Sequence, residues 1–261
     1  MVRPRRLKPW DFINNVQFVG FGRSLKASGD NFAPEVIMTK LNFKDRTVVV
    51  TGAARGLGRC IAWRLVNVEG ACVIAVDYRA GELEELRKEL EDAKSGSCTT
   101  VITDLSSPDG VGMVFDAVRD LEVFGLVNCA GMTHFGTALS RNLDCYRRIV
   151  NVNFMASMQL TLMFADHFRL QGEGCILNIS SIAGRLPLAY QNVYSASKHA
   201  LQCFSEALQG ELKGSGVTLS IYAPGGIRTA MVEESGLSDH FGRSNLGFDK
   251  PENGQEKPSE P

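Results

Sequence analysis

Tyr194 and Lys198 lie four residues apart in the run Tyr194-Ser195-Ala196-Ser197-Lys198. The surrounding pattern is helical, so both side chains fall on one helix face. An ammonium held beside a phenol favours phenolate, drawing a group of ordinary pKa about 10 toward working pH. A tyrosine tuned in this way can take a proton from an alcohol or give one to a ketone. An exposed tyrosine one turn from a lysine is common, so the pair alone decides nothing.

A second feature is Thr51-Gly52-Ala53-Ala54-Arg55-Gly56-Leu57-Gly58. It follows the β-branched run Thr47-Val48-Val49-Val50, and apolar residues recur at helical spacing from Cys60 to Val66. Strand, glycine turn, helix is the context in which such a loop suits a dinucleotide. Gly52 allows the tight turn, Gly56 a close backbone approach to a pyrophosphate, and Gly58 helix packing on the strand. The phosphates then face the helix N-terminus. The spacing is Gly-x-x-x-Gly-x-Gly rather than the commoner Gly-x-Gly-x-x-Gly.

The elements that must position these groups alternate. Strand-like runs fall at 48–51, 72–77, 99–104, 126–128, 175–180 and 218–223, and helical patterns at 56–68, 81–93, 108–121, 143–169 and 194–212. This order predicts an α/β fold: a doubly wound parallel sheet of about six strands, covered by helices on both faces. Right-handed crossovers place its ligand crevice at the strand C-termini. A chain of 261 residues can bury such a core as one catalytic domain, 41–248.

Both ends are unlike the middle. Residues 1–40 form an N-terminal extension that opens on Arg3, Arg5, Arg6 and Lys8. It reads as an extension packed on the domain, with a targeting segment or a membrane-surface or partner helix as alternatives. Residues 249–261 read as a disordered tail. A seventh strand is not expected.

Composition excludes several classes. Net charge is −1, with no basic excess to suggest nucleic acid. No apolar run is long enough to span a bilayer. The seven cysteines show no paired metal spacing and read as reduced thiols, so no metal is expected and the location is cytoplasmic, or organellar if 1–40 includes a targeting segment. No Gly-x-Ser-x-Gly elbow supports hydrolase chemistry.

Taken together, these residues resemble the short-chain dehydrogenase/reductase family over about 42–231. Further stretches match in order: Asp104-Leu105, Asn128-Cys129-Ala130-Gly131 (the family's Asn-Asn-Ala-Gly with cysteine second), Asn153, Ser180-Ser181, and Pro224-Gly225 with Ile227 and Thr229 beyond. The resemblance implies a Rossmann fold and hydride transfer between a nicotinamide dinucleotide and a secondary alcohol or ketone. It implies Tyr194 as acid/base, with Lys198 lowering its pKa and holding the nicotinamide ribose. Ser181 would bind the substrate oxygen, Ser180 being the competing serine. Asn153 would hold a relay water, Asn151 being the plain helix residue. A retired, dinucleotide-binding scaffold is the alternative function.

Around the cofactor, Arg55 and Leu57 belong to the glycine turn. Asp77, at the end of 72–77, can accept from ribose hydroxyls and repel a 2′-phosphate, which predicts NAD rather than NADP. Arg55 and Arg79 argue for the phosphate, and Asp77 has an alternative reading as a helix cap. The resemblance makes Asp104 an adenine contact, with a turn or cap role as the alternative. Asn128 ties strands together below the cofactor, and Ala130-Gly131 passes close to the nicotinamide ribose. Ile227 and Thr229, after Pro224-Gly225, resemble the residues that fix the carboxamide, a proline-glycine turn with no ligand being the alternative.

Met132-Thr133-His134-Phe135 and 184–190 would line a mostly apolar pocket, favouring a lipophilic substrate. His134 and His199 read as pocket wall or helix surface. Relatives pair through their two long helices. A homodimer is therefore expected here, through Leu160, Met163, Phe164, Phe168, Leu201, Phe204 and Leu208.

Overall fold

A computed structural model describes residues 19–24, 35–139 and 142–225. The strands are β1 (Val19–Ser24), β2 (Glu35–Lys40), β3 (Thr47–Thr51), β4 (Cys72–Asp77), β5 (Cys98–Ile102), β6 (Val123–Asn128), β7 (Gly174–Ile179) and β8 (Val217–Tyr222). The helices are α1 (Gly56–Asn67), α2 (Ala80–Ala93), α3 (Pro108–Asp116), α4 (Leu143–Val150), α5 (Ser157–Gln171) and α6 (Asn192–Glu211). Strands β3 to β8 form one parallel sheet in the order β5-β4-β3-β6-β7-β8. The sheet order reverses between β3 and β6, the switch point at whose strand C-termini open α/β sheets bind ligands.

Strand alternation divides the core. Val48, Val50, Val73 and Ala75 face Leu65 of α1 and Leu83, Leu86 and Leu90 of α2. Val49, Ile74, Leu126 and Ile176 face Val114 of α3 and Leu160, Phe164 and Phe168 of α5. The β-branched run 48–50 is thus buried on both faces, as a parallel strand covered twice must be.

The expected six-stranded, doubly wound architecture is present, with three departures. The helix expected over 108–121 ends at Asp116. Beyond it Val118 donates to Phe115 and Leu121 to Val118, so the chain tightens into i→i+3 turns. The helix expected over 143–169 is broken by a π turn at Asn151–Ala156. Ahead of the domain, β1 and β2 pair as an antiparallel hairpin with β1 beside β8. The basic start at 1–18, the residues Ile227 and Thr229, and the tail at 249–261 lie outside the described residues.

The apolar residues expected to pair two copies are mostly core. Leu160, Phe164, Phe168, Leu201 and Leu208 are buried within this one chain, and only Met163 and Phe204 are partly exposed. Periodicity marks an apolar face but not what covers it, and here the parent sheet does. Among the described residues no helix is long and apolar enough to cross a membrane, and no group of three His, Cys, Asp or Glu side chains could hold a metal ion.

Candidate active site

The glycine turn is held by its own close contacts. Gly52 has φ 68° and Gly56 φ 57°, the left-handed region that glycine enters without steric cost. A Cβ on Gly52 would stand 2.8 Å from Ala130 Cα, so the loops after β3 and β6 pass backbone to backbone. A Cβ on Gly58 would stand 2.1 Å from the Gly52 carbonyl oxygen. Gly58 therefore lets α1 begin directly over the turn. Arg55 is the N-cap residue of α1 but caps it with no side-chain bond, which leaves the first helical N–H groups facing the crevice mouth. Leu57 is partly buried beside the first core cluster.

Asp77 is buried at the end of β4. Its carboxylate accepts from Ala54 N–H in the glycine turn and from Arg79 N–H, both at 3.1 Å. It does not cap α2, whose N-cap is Arg79. The bond to Ala54 instead locks the carboxylate to the turn. Asp104 accepts from Ser106 N–H at 2.9 Å and pairs with Arg148 at 2.8 Å, so both its oxygens already have partners. This is the turn geometry that the sequence left open for it. Leu105 turns its side chain into the core.

Asn128 lies below the crevice. Its amide donates to Ser157 O at 3.2 Å, Thr161 Oγ1 at 3.0 Å and Asn178 Oδ1 at 2.9 Å. Asn178 in turn donates to Ser205 Oγ at 2.9 Å. The network is fully buried and joins β6 and β7 to α5 and α6. Asn128 thus ties elements together.

At the other side of the crevice, Ser181 follows β7. Tyr194 and Lys198 lie one turn apart on α6. The Ser181 hydroxyl stands beside the Tyr194 phenol and accepts from Ala183 N–H at 3.1 Å. Ser180 points elsewhere, donating to Lys198 O at 3.2 Å. Lys198 is buried, and its ammonium donates to Ile179 O at 2.8 Å. Ser181 and Tyr194 thus stand side by side, with Lys198 one helical turn further along α6.

The electrostatics differ from expectation. Burial is the largest influence on Tyr194 and raises its pKa, and the Ser181 hydrogen bond acts the other way. Burial also pushes Lys198 down to about 8. The ammonium rests on a carbonyl rather than on the phenol, so here it does not draw the tyrosine toward phenolate.

Asn153 sits in the π turn with no exposed surface. Its Oδ1 accepts from Met132 N–H at 2.8 Å, and its amide donates to Met132 O at 2.9 Å and Ser197 Oγ at 3.0 Å. The amide thereby clamps the loop after β6 against α6. Asn151, read as plain, also has a tie: it donates to Ser106 O at 3.0 Å. His199 faces its own helix, with Nδ1 2.9 Å from Ser195 O.

Thr51 escaped the sequence reading. Its hydroxyl accepts from Cys129 N–H at 3.0 Å and Ala130 N–H at 3.1 Å, fixing the start of the loop that carries Ala130 and Gly131. A threonine closing a strand before a glycine turn was the available signal. Asn178 and Ser197 had none, since only the fold brings them to Asn128 and Asn153. Pro224 and Gly225 follow β8, and Pro224 O accepts from Ile182 N–H at 2.8 Å beside Ser181.

The assembled groups comprise a glycine-rich backbone turn, a carboxylate at its edge, a hydroxyl beside a phenol and a buried ammonium. They are suited to a dinucleotide on one side and proton transfer on the other. Comparison with known proteins agrees. The family model for short chain dehydrogenase matches residues 46–239. Dehydrogenase/reductase SDR family member 7B of Rattus norvegicus is 32% identical over 210 residues, covering 77% of this chain and 64% of that protein. The chain thus spans a little under two thirds of that relative's length.

Two solved structures are similar. A short-chain dehydrogenase from Sphingobium yanoikuyae in complex with NADPH has TM-score 0.70 and 28% identity over 73% of this chain and 75% of that one. A short chain dehydrogenase/reductase from Burkholderia phymatum in complex with NAD has TM-score 0.70 and 27% identity over 74% and 70%. A match over most of its length, on a six-stranded parallel sheet bearing the Tyr194–Lys198 helix, makes this chain a member of the short-chain dehydrogenase family.

Proposed function

We propose that the protein is an oxidoreductase that moves a hydride between NAD(H) and a lipophilic secondary alcohol or ketone. The observation that carries this reading is the Ser181 hydroxyl standing beside the Tyr194 phenol, one helical turn from buried Lys198. The nicotinamide, when bound, accepts the carbinol hydride in oxidation or supplies it in reduction. Ser181 holds the substrate oxygen. Tyr194 takes the hydroxyl proton in oxidation and returns it in reduction. Lys198 holds the nicotinamide ribose hydroxyls. Asn153 acts at one remove, positioning Met132 beside the reacting centre. A spectrophotometric screen of NAD(H) turnover over a panel of alcohols and ketones tests the reading. No turnover on any member, with dinucleotide bound, would leave a binding protein instead.

The pH dependence has a definite sign. Oxidation uses the deprotonated phenol, so its rate rises with pH toward the phenol's pKa, while reduction uses the protonated form and falls over the same range. Burial puts this rise on the alkaline side. The Ser181 hydroxyl lowers the phenol's pKa, so residual oxidation by Ser181→Ala should have its midpoint at higher pH. The measurement is the pH profile of kcat. A midpoint near 6.5 that disappears in His134→Ala would make histidine the base.

Cofactor choice rests on Asp77. Its buried carboxylate at the edge of the cradle supports NAD over NADP, because a 2′-phosphate there would meet a fixed like charge. Asp77→Asn should narrow the preference for NADH over NADPH on the order of tenfold, with Arg55 and Arg79 left nearby to attract phosphate. Direct titration with both cofactors decides. Tighter wild-type binding of NADPH than of NADH would reverse the assignment.

The lining supports an apolar substrate. Phe135 is buried, and Ile182, Leu186 and Leu188 are exposed on the loop after β7.

A further inference from the structure

Tyr190 occupies a conformation that its residue type avoids. Its φ is 65°, and among the described residues only Asp45 shares the left-handed region without being glycine. Aspartate tolerates that region, whereas a bulky aromatic there is an outlier. Such strain persists only where the surroundings over-determine it, and it gathers at ligand sites.

The surroundings here are specific. Tyr190 O accepts from Gly136 N–H at 2.9 Å. Its ring packs on Phe135, with centroids 5.5 Å apart and planes at 36°. The next residue, Gln191, donates to Thr133 Oγ1 at 3.3 Å, and its own carbonyl accepts from Ser195 N–H at 2.8 Å. The loops after β6 and β7 are therefore latched into one wall, seated on the start of α6 four residues before Tyr194. Phe135 is the buried backing, while Tyr190 keeps 41% of its surface exposed. Glycine would meet the backbone demand at no steric cost. What glycine would lack is the ring.

We infer that the Tyr190 ring, backed by Phe135, is a stacking face for the substrate, selecting alcohols and ketones that carry an aryl group beside the carbinol carbon over short aliphatic ones. This rests on the alcohol/ketone reading above and names its substrate class. Aromatic faces pair best offset or edge-on, and a ring fixed by both backbone and neighbour loses little freedom on binding.

The test uses acetophenone and 2-butanone, titrated into the full chain saturated with oxidised dinucleotide, so that no turnover intervenes. Tyr190→Gly and Tyr190→Asn both accept the left-handed backbone and remove the ring, while Tyr190→Phe keeps the ring. Acetophenone affinity should fall about tenfold in the first two, with 2-butanone affinity unchanged, and should be retained in Tyr190→Phe. Two ring-free variants, each checked by melting temperature, separate loss of the ring from a loosened loop. An unchanged ratio of the two affinities in both ring-free variants overturns the inference, as does a wild type that binds neither ketone. Ketone binding without hydride transfer from reduced dinucleotide would sink the oxidoreductase reading alone and leave the stacking face standing.

Discussion

Tyr194→Phe should abolish turnover and leave dinucleotide affinity nearly unchanged. The substitution removes one hydroxyl from a phenol that touches Ser181. It removes nothing from the glycine turn or from Asp77. General acid–base catalysis is worth roughly a hundred- to ten-thousand-fold, and the loss should fall on kcat. Lys198→Ala should behave differently. Its ammonium is buried and donates to Ile179 O, so its loss should lower cofactor affinity and turnover together, and should also leave a cavity beside β7. Steady-state kinetics with parallel cofactor titration separates the two. A near wild-type rate in Tyr194→Phe on a confirmed substrate would remove the phenol from the mechanism.

Gly58→Ala should be the most damaging single methyl group in the cradle. The new Cβ would stand 2.1 Å from Gly52 O and 2.7 Å from Gly52 C, both backbone atoms that cannot step aside alone. Either α1 moves away from β3 or the turn deforms, and either change spoils the phosphate-facing N–H groups. Overpacking of this kind costs about 1–3 kcal/mol, which is several degrees of melting temperature for a domain of this size. Dinucleotide affinity should fall on the order of a hundredfold, since the cradle itself is displaced. Gly81→Ala is the control. A Cβ there meets nothing within 4 Å on the exposed start of α2, so it should stabilise slightly, by about 0.4–1 kcal/mol. Calorimetry and cofactor titration on both variants check the contrast. Unchanged affinity in Gly58→Ala would mean that the turn does not hold the cofactor.

How much of this was legible in the sequence depended on whether the signal was local. The glycine turn lay between a β-branched run and a helical pattern, and Gly52 has the tight-turn backbone read for it. Ser181, Tyr194 and Lys198 were legible as a group because one strand end and one helix carry them all. The role of Asn153 was not legible. Its partners Met132 and Ser197 are 21 and 44 residues away, and only the fold delivers them. Asn178 was silent for the same reason. The phenol's pKa misled because residue types gave the lysine but not its hydrogen-bond partner, and the partner is a carbonyl. The apolar helix faces misled because periodicity cannot tell a parent sheet from a second copy.

The π turn at Asn151–Ala156 holds one residue more than regular α-helix needs over the same rise. Removing one residue there would let α4 run straight into α5 with every backbone bond in i→i−4 register. Each position on one side of the deletion would rotate by about 100° relative to the other. Asn153 and the residues before it could not then keep both the Met132 clamp and the contacts of α5 with the core. The shorter helix would be more regular and its register better satisfied, yet the loop after β6 would lose its anchor. In this segment, lengthening or shortening the chain by a residue is a far larger event than exchanging one side chain for another.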